Sequence, residues 1–344
     1  MNNYFRFRQI YLFFLLTLLF GSCNNNKNVD VTNISLNFSI ERFDKDLSSL
    51  TPQNVSQKAP ILKKKYGAFY RDFMEQILNV GFVSDTGYYI NLRLVLENKD
   101  YQELKKSVNT KFADYIAERE VKEAFKHIKY YYPKKKLPRV ITFFSGFSVQ
   151  TPIGNDYIGI GLDMFLGADS KFYPALTQSI PLYISRRFTP ENIAPRIVEG
   201  YAREDLFPEK DQDQTLMSKM IYNGKILYFM DNVLPEVSDS TKIGYTSKQL
   251  KWCSDYEGSI WAYLLENELL YETDYMKIQK FLTEAPFTPG IGNDSESAPK
   301  LAVWIGWQIV RKYMDINPHI SLQQLMKEED AQKILNASQY KPKP

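Results

Sequence analysis

Thr189-Pro190-Glu191-Asn192 is the stretch on which the reading of the fold turns. A cap residue, proline at the first helical position and an acid in the first turn make it a helix start. From here on the sequence is almost entirely helical. The first helix is expected to run to about Asp205 and stop before Pro208. Met217, Met220, Ile221, Gly224 and Tyr228 mark the next, and Thr246 to Leu270 and Tyr275 to Leu282 give two more. A Pro- and Gly-rich loop, Pro286 to Gly292, precedes a helix expected to be capped near Ser297, with Pro299 in its first turn and Trp304, Gly306 and Trp307 inside it. A last helix starts after Ser321.

Upstream the pattern is mixed. Ile34, Leu36, Phe38 and Ile40 alternate with Ser35, Asn37 and Ser39, the period of a strand with one buried face. Glu41 to Leu47 reads as a charged turn. Leu62, Tyr66, Phe69, Phe73 and Ile77 form the stripe of an amphipathic helix from Pro60 to Leu78. A second helix is expected from about Phe112 to Tyr130, burying Ile116, Val121, Phe125 and Ile128. After Pro133 and Pro138 come two short strands, Val140–Phe144 and Tyr157–Leu162. The glycines of the second predict a bulge or a close backbone approach. The fold class is therefore α+β, a small early sheet followed by a large helical region. No linker rich in Gly, Ser or Pro divides it, so residues 31–344 are expected to form a single globular domain.

The N-terminus carries an address. Arg6 and Arg8 supply a basic region, and an apolar run from Ile10 to Phe20 is interrupted only by Thr17. That run has the length of an export signal and falls short of the roughly 20 apolar residues that span a bilayer. It ends in Gly21-Ser22-Cys23, small residues before a cysteine, as a lipoprotein signal peptidase requires. Residues 1–22 are read as the signal peptide, Cys23 as the lipid attachment site (diacylglycerol and palmitate), and residues 23–30 as a flexible tether. Several acyl chains hold a protein stably where one holds it weakly.

Removing residues 1–22 from the 344-residue chain leaves 322 and takes away two arginines and no acid, so 41 basic side chains face 40 acidic ones. So even a balance carries no electrostatic footprint for nucleic acid. Lys63-Lys64-Lys65 and Lys134-Lys135-Lys136 read as solvated surface. With Cys23 lipidated, only Cys253 remains, and no disulfide forms within the mature chain. Cys253 reads as a small buried hydrophobe. The 24 tyrosines and 22 phenylalanines point to a well-packed apolar core.

Candidate chemistry is sparse. His127 and His319 are the two histidines, and neither sits in a metal-ligand pair. His127, between Lys126 and Lys129, reads as a surface residue and His319 as a loop residue. Gly159-Ile160-Gly161 lacks the third glycine of a dinucleotide loop. The acids Asp44 and Asp46, and Glu204 and Asp205, read as solvated rather than as catalytic pairs. Glu257 and Trp261 lie four apart, on one helix face, where a carboxylate beside a tryptophan would line a pocket.

Longer motifs carry a resemblance. Glu41-Arg42-Phe43-Asp44, Phe143-Phe144-Ser145-Gly146-Phe147, Gly159 to Gly167, Met220-Ile221-Tyr222-Asn223-Gly224-Lys225 and the block from Ala285-Pro286-Phe287 through Ala302 to Val310 follow one another behind a lipoprotein signal. In this order they resemble the gliding motility lipoprotein GldB of Bacteroidetes, over nearly the whole mature chain. The resemblance implies an envelope lipoprotein needed for movement over surfaces, with no known catalytic activity and no cofactor. It implies other envelope proteins of the gliding and adhesin-secretion apparatus as partners.

A looser similarity is to zinc metallopeptidase relatives, in which a strand precedes a helix bearing H-E-x-x-H. The corresponding helix here reads Ile197-Val198-Glu199-Gly200-Tyr201, with no histidine and with Val198 where the general base belongs. On that reading the fold is a degenerate zincin-like one, a pseudo-peptidase, and Glu199, Tyr201, Glu257 and Trp261 are candidates for a remnant cleft. The expectation is a non-enzymatic lipoprotein acting by protein–protein contact. The alternative is an envelope hydrolase acting on peptide or glycan. Because Asn24, Asn25 and Asn26 follow Cys23 with no acidic cluster, the body is expected to face the periplasm from the outer membrane.

Overall fold

The alternation between Ile34 and Ile40 survives as burial but not as a strand. Ile34, Leu36 and Phe38 are half-buried and Ile40 is buried, while Ser35, Asn37 and Ser39 are exposed. Backbone pairing begins only at Glu41. Its N–H donates to the Val140 carbonyl at 2.8 Å, and its own carbonyl accepts from Thr142 N–H at 2.9 Å. The computed structural model describes residues 29–210, 212–292 and 296–342. The expected signal, Cys23 and the tether as far as residue 28 lie outside them. Residues from Val31 onward form one contact unit.

The charged turn is instead a short helix, α1 (Phe43–Ser48), which buries Phe43, Asp44 and Leu47. The stripe expected from Pro60 begins earlier, as α2 (Val55–Tyr66). It resumes after Gly67 as α3 (Ala68–Asp72) and ends in a π-turn, Phe73–Ile77. Two helices follow where no element was expected, α4 (Tyr88–Glu97) and α5 (Lys99–Lys111). Next, α6 (Glu118–Tyr131) starts later than Phe112, because Ala117 at its N-cap has φ 59°. The sheet has two parallel strands, β1 (Arg139–Phe143) and β2 (Tyr157–Gly161), in register from Arg139↔Tyr157 to Phe143↔Gly161. The chain between them folds back along β2, so Gly161 N–H reaches the Gln150 carbonyl at 2.9 Å. A Cβ at Gly161 would collide with the Val149 carbonyl oxygen, the close approach its glycine predicts.

Helices make up most of the rest. A single turn, α7 (Leu182–Ser185), precedes Thr189. The helix start at Pro190 is a 3₁₀ turn leading into α8 (Ile193–Tyr201) and a π-turn, Ala202–Leu206. Then come α9 (Leu216–Val233) and α10 (Asp239–Ile243). The expected helix Thr246–Leu270 is broken at Tyr256 into α11 (Ser247–Asp255), opened by a Thr246/Gln249 capping box, and α12 (Glu257–Glu266). After α13 (Tyr275–Ile278), the helix expected to be capped near Ser297 begins later, as α14 (Leu301–Ile316). Ser297 caps nothing; its hydroxyl donates to the Thr288 carbonyl at 2.8 Å and accepts from Thr288 N–H at 3.1 Å, pinning the preceding loop. Two short helices, α15 (Leu322–Lys327) and α16 (Ala331–Ser338), close the chain. The architecture is mostly helical α+β, as the sequence pattern predicts.

Two contacts organise the core. Phe43 of α1 packs edge-on against Tyr66 at 4.8 Å and Phe73 at 5.0 Å, and Phe73 meets Phe143 of β1 at 5.6 Å. Each such pair contributes about 1 kcal/mol beyond its buried area. In the helical half, α9 crosses α14 at Gly224 and Gly306. A Cβ on Gly306 would overlap the Met220 carbonyl oxygen, and one on Gly224 would overlap the Gly306 carbonyl oxygen. α8 packs between α9 and β2.

Candidate functional site

α8 turns two faces to its surroundings. Ile193, Ala194, Ile197, Val198 and Tyr201 are buried in the core. Arg196, Glu199 and Arg203, spaced three and four apart, share the other face. Glu199 Oε2 meets Arg196 Nη1 at 2.5 Å, and Oε1 meets Arg203 Nε at 3.1 Å. Burial pushes the Glu199 pKa upward, but Arg196, Arg203 and Lys300 outweigh it and hold the pKa at about 2.

The first turn of α14 and the loop before it complete the site. Lys300, whose backbone is left-handed at φ 53°, sends Nζ to the Ile243 carbonyl at 2.6 Å and to Glu284 Oε1 at 2.5 Å. Glu284 also pairs with Arg187 Nη1 at 3.0 Å. Burial lowers the Lys300 pKa, with Glu284 opposing. Burial works to raise the Glu284 pKa, and Lys300 and Arg187 reverse it. Between these groups lies a cleft of about 310 Å³, bordered by Glu199, Arg203, Asn223, Lys242, Glu284 and Lys300. Behind it Lys242 pairs with Asp231 at 2.9 Å. Asp231 also accepts from Trp307 Nε1 at 2.9 Å and Arg311 Nε at 2.8 Å, and Arg311 stacks on the Trp307 ring at 3.8 Å.

Of the four residues expected in a remnant cleft, Glu199 lines this one. Tyr201 faces the core, and its hydroxyl donates to the Lys136 carbonyl at 3.2 Å. Glu257 and Trp261 do share a face of α12, where both hold Tyr340. Its hydroxyl donates to Glu257 Oε1 at 2.6 Å, and its ring meets Trp261 edge-on at 5.4 Å. Glu257 borders a separate recess with Arg311, Lys312 and Tyr340.

Two further sequence expectations, for His127 and Asp44, are corrected. His127 is buried, with Nδ1 3.0 Å from the Glu123 carbonyl one turn back. Asp44 is fully buried rather than solvated, because Arg42 grips it through Nε and Nη2 at 2.8 and 2.6 Å and the Thr142 hydroxyl closes on it. Cys253 is buried, and burial pushes its thiol pKa far up, which leaves it inert. His319 is exposed in the turn after α14.

One place escapes sequence reasoning. Asp163, just after β2, is completely buried, and its Oδ2 accepts N–H bonds from Ser145 at 3.0 Å and Phe147 at 2.7 Å. Phe147 takes a left-handed backbone, φ 68°, to reach it. Among the described residues, Asp163 Oδ1 and the Tyr101 hydroxyl are buried without a hydrogen-bond partner. A cavity of about 560 Å³ opens above, bordered by Leu78, Val95, Tyr101, Leu104, Phe147 and Phe172. The signal available was the pairing of Phe-Ser-Gly-Phe after one strand with Gly-Leu-Asp after the next, at the carboxyl ends of parallel strands.

What the Glu199 cleft can do follows from its charges. A carboxylate held at a pKa of about 2 is a poor general base at neutral pH. Among the described residues no group of three or more His, Cys, Asp and Glu is placed to hold a metal ion. The chemistry it offers is the fixed recognition of charge. Neither a curated protein nor a solved structure matches the chain. The model of one family, described as gliding motility protein GldB, matches residues 24–342, and the chain belongs to that family.

Proposed function

We propose that this chain is a cell-envelope lipoprotein of the gliding machinery, held at the bilayer by lipid on Cys23 and acting through contact with other envelope proteins, without catalysis. The family match over residues 24–342 is the observation that carries this reading. The chemistry of the Glu199 cleft agrees with it, since its carboxylates are locked in ion pairs instead of being poised for proton transfer. Among the described residues no helix is long and apolar enough to cross a membrane. Attachment in this reading therefore rests on Cys23. The body faces the periplasm from the outer membrane.

The test is complementation in a gliding bacterium lacking its own copy. The unaltered chain is expected to restore spreading, to incorporate a clickable palmitate analogue and to float with outer-membrane vesicles. Cys23→Ala is expected to lose the label and the membrane association, and to restore little movement. A deletion strain that glides normally would refute the assignment. Crosslinking in the complemented cells should capture other envelope proteins.

A further inference from the structure

The ion pairs at the Glu199 cleft do not balance. Arg187, Arg196, Arg203 and Lys300 act on Glu199 and Glu284, four cations against two carboxylates. Lys242 and Arg311 do not alter the difference, because Asp231 and Asp239 match them. Arg186 stands apart from this network: its guanidinium donates to the Gly244 carbonyl at 2.8 Å and to Gln249 Oε1 at 3.3 Å. These cations are not free to swing into water. The side chains of Lys300, Arg187 and Arg196 are only 11, 16 and 18% exposed. A buried excess of like charge is costly unless a counter-charge offsets it.

Behind the cleft wall, and among the described residues, Arg187 Nε and Arg196 Nε are buried donors with no hydrogen-bond partner; the cations that border the cleft itself are Arg203, Lys242 and Lys300. The neutral side chains of Asn223 and Thr283 border the cleft, as does Val303 in the first turn of α14. That helix is 16 residues long, and its N-terminal end adds positive potential. The cleft, about 310 Å³, accommodates a small ligand.

We propose that this cleft binds a dianionic phosphate group, as the free ion or as a small phosphate ester such as a lipid headgroup fragment. An excess of two positive charges matches a dianion, whereas one carboxylate would leave half of it uncompensated. Planar guanidinium donors fit the tetrahedral oxygens of phosphate. Glu199 and Glu284 then serve to hold Arg203 and Lys300 at the cleft wall, with Arg196 and Arg187 paired to the same carboxylates behind it.

The experiment uses the full lipidated chain in a neutral, phosphate-free detergent. Inorganic phosphate and, separately, glycerol 3-phosphate are titrated calorimetrically at constant ionic strength set with chloride. Saturable one-to-one binding above the chloride control is expected. Lys300→Gln should weaken it about tenfold or more. Glu284→Gln should act in the opposite direction and tighten binding, because it raises the positive excess; a variant that merely damaged the fold would not do that. Tighter binding of glycerol 3-phosphate assigns the site to an esterified phosphate, and tighter binding of inorganic phosphate to the free ion. No saturable binding, or binding unchanged in both variants, overturns the proposal.

Discussion

Asp163 is fully buried and Glu199 half-buried at a cleft wall, and their surroundings treat the charge in opposite ways. Asp163 is met by backbone amides of Ser145 and Phe147, and burial still raises its pKa. Glu199 is met by two guanidiniums and an ammonium, and its pKa falls to about 2. Neutral dipoles in a fixed loop do not replace the lost hydration of a carboxylate, while full charges at 2.5 to 3.1 Å do. The sheet end has become an anchor for a strained loop. The helix face has become a charged wall.

The largest effect is expected from Asp163→Ala, which leaves two buried N–H groups without an acceptor and frees a left-handed Phe147. A loss of about 3 kcal/mol in urea unfolding should result. Asp163→Asn keeps an acceptor and should cost clearly less. Equal losses in the two variants would mean that the charge matters more than the hydrogen bonds, and would break the contrast with Glu199.

Next comes Glu199→Gln, expected to cost about 2 kcal/mol because Arg196 and Arg203 lose their partner in a largely buried setting. The pH dependence of the two sites should differ in sign. The folded pKa of Glu199 lies below its unfolded value of 4.5, so its contribution is intact above that value and is lost as pH falls toward about 2. Stability against pH below 4.5 should therefore be shallower in Glu199→Gln than in the parent. Asp163 has a raised folded pKa, so its contribution is lost as pH rises above the unfolded value of 3.8. Asp163→Asn should remove a decline that lies on that upper side.

Glu257 supplies the lower bound of the series. A single bond from the Tyr340 hydroxyl ties it to the C-terminal tail. Glu257→Gln should cost about 0.5 kcal/mol, measured as a small shift in the thermal midpoint. A loss as large as that of Glu199→Gln would show that the tail contributes more to the fold than one hydrogen bond.

The sequence makes some of this legible and hides the rest for physical reasons. Helix α9 announces itself through Met217, Met220, Ile221 and Gly224, and α14 through its tryptophans, because their buried faces are written in large apolar residues. Helix α5 buries Tyr101, Leu104 and Val108 at helical spacing, yet the charged residues between them mask the stripe. The segment Ile34–Ile40 has the alternation of a strand without a neighbour to pair with, and periodicity cannot supply one. Asp44 reads as solvent-facing because the Thr142 that closes on it comes from a distant strand. At the cleft, Arg196 and Arg203 are visible at three and four residues from Glu199. Glu284 and Lys300 arrive from far downstream, delivered by the loop before α14. The anchor at Asp163 depends on tertiary contact, and in the sequence it is marked only by the pairing of the motifs that follow β1 and β2.

The crossing of α9 and α14 has a further consequence. With no side chain between Gly224 and Gly306, the two backbones lie in direct contact and leave no path for solvent. Amide protons around this point are expected to meet deuterium only through the largest openings of the chain. Their exchange rate is therefore a built-in gauge of global stability, against which the local breathing of the cleft beside it can be timed in the same sample.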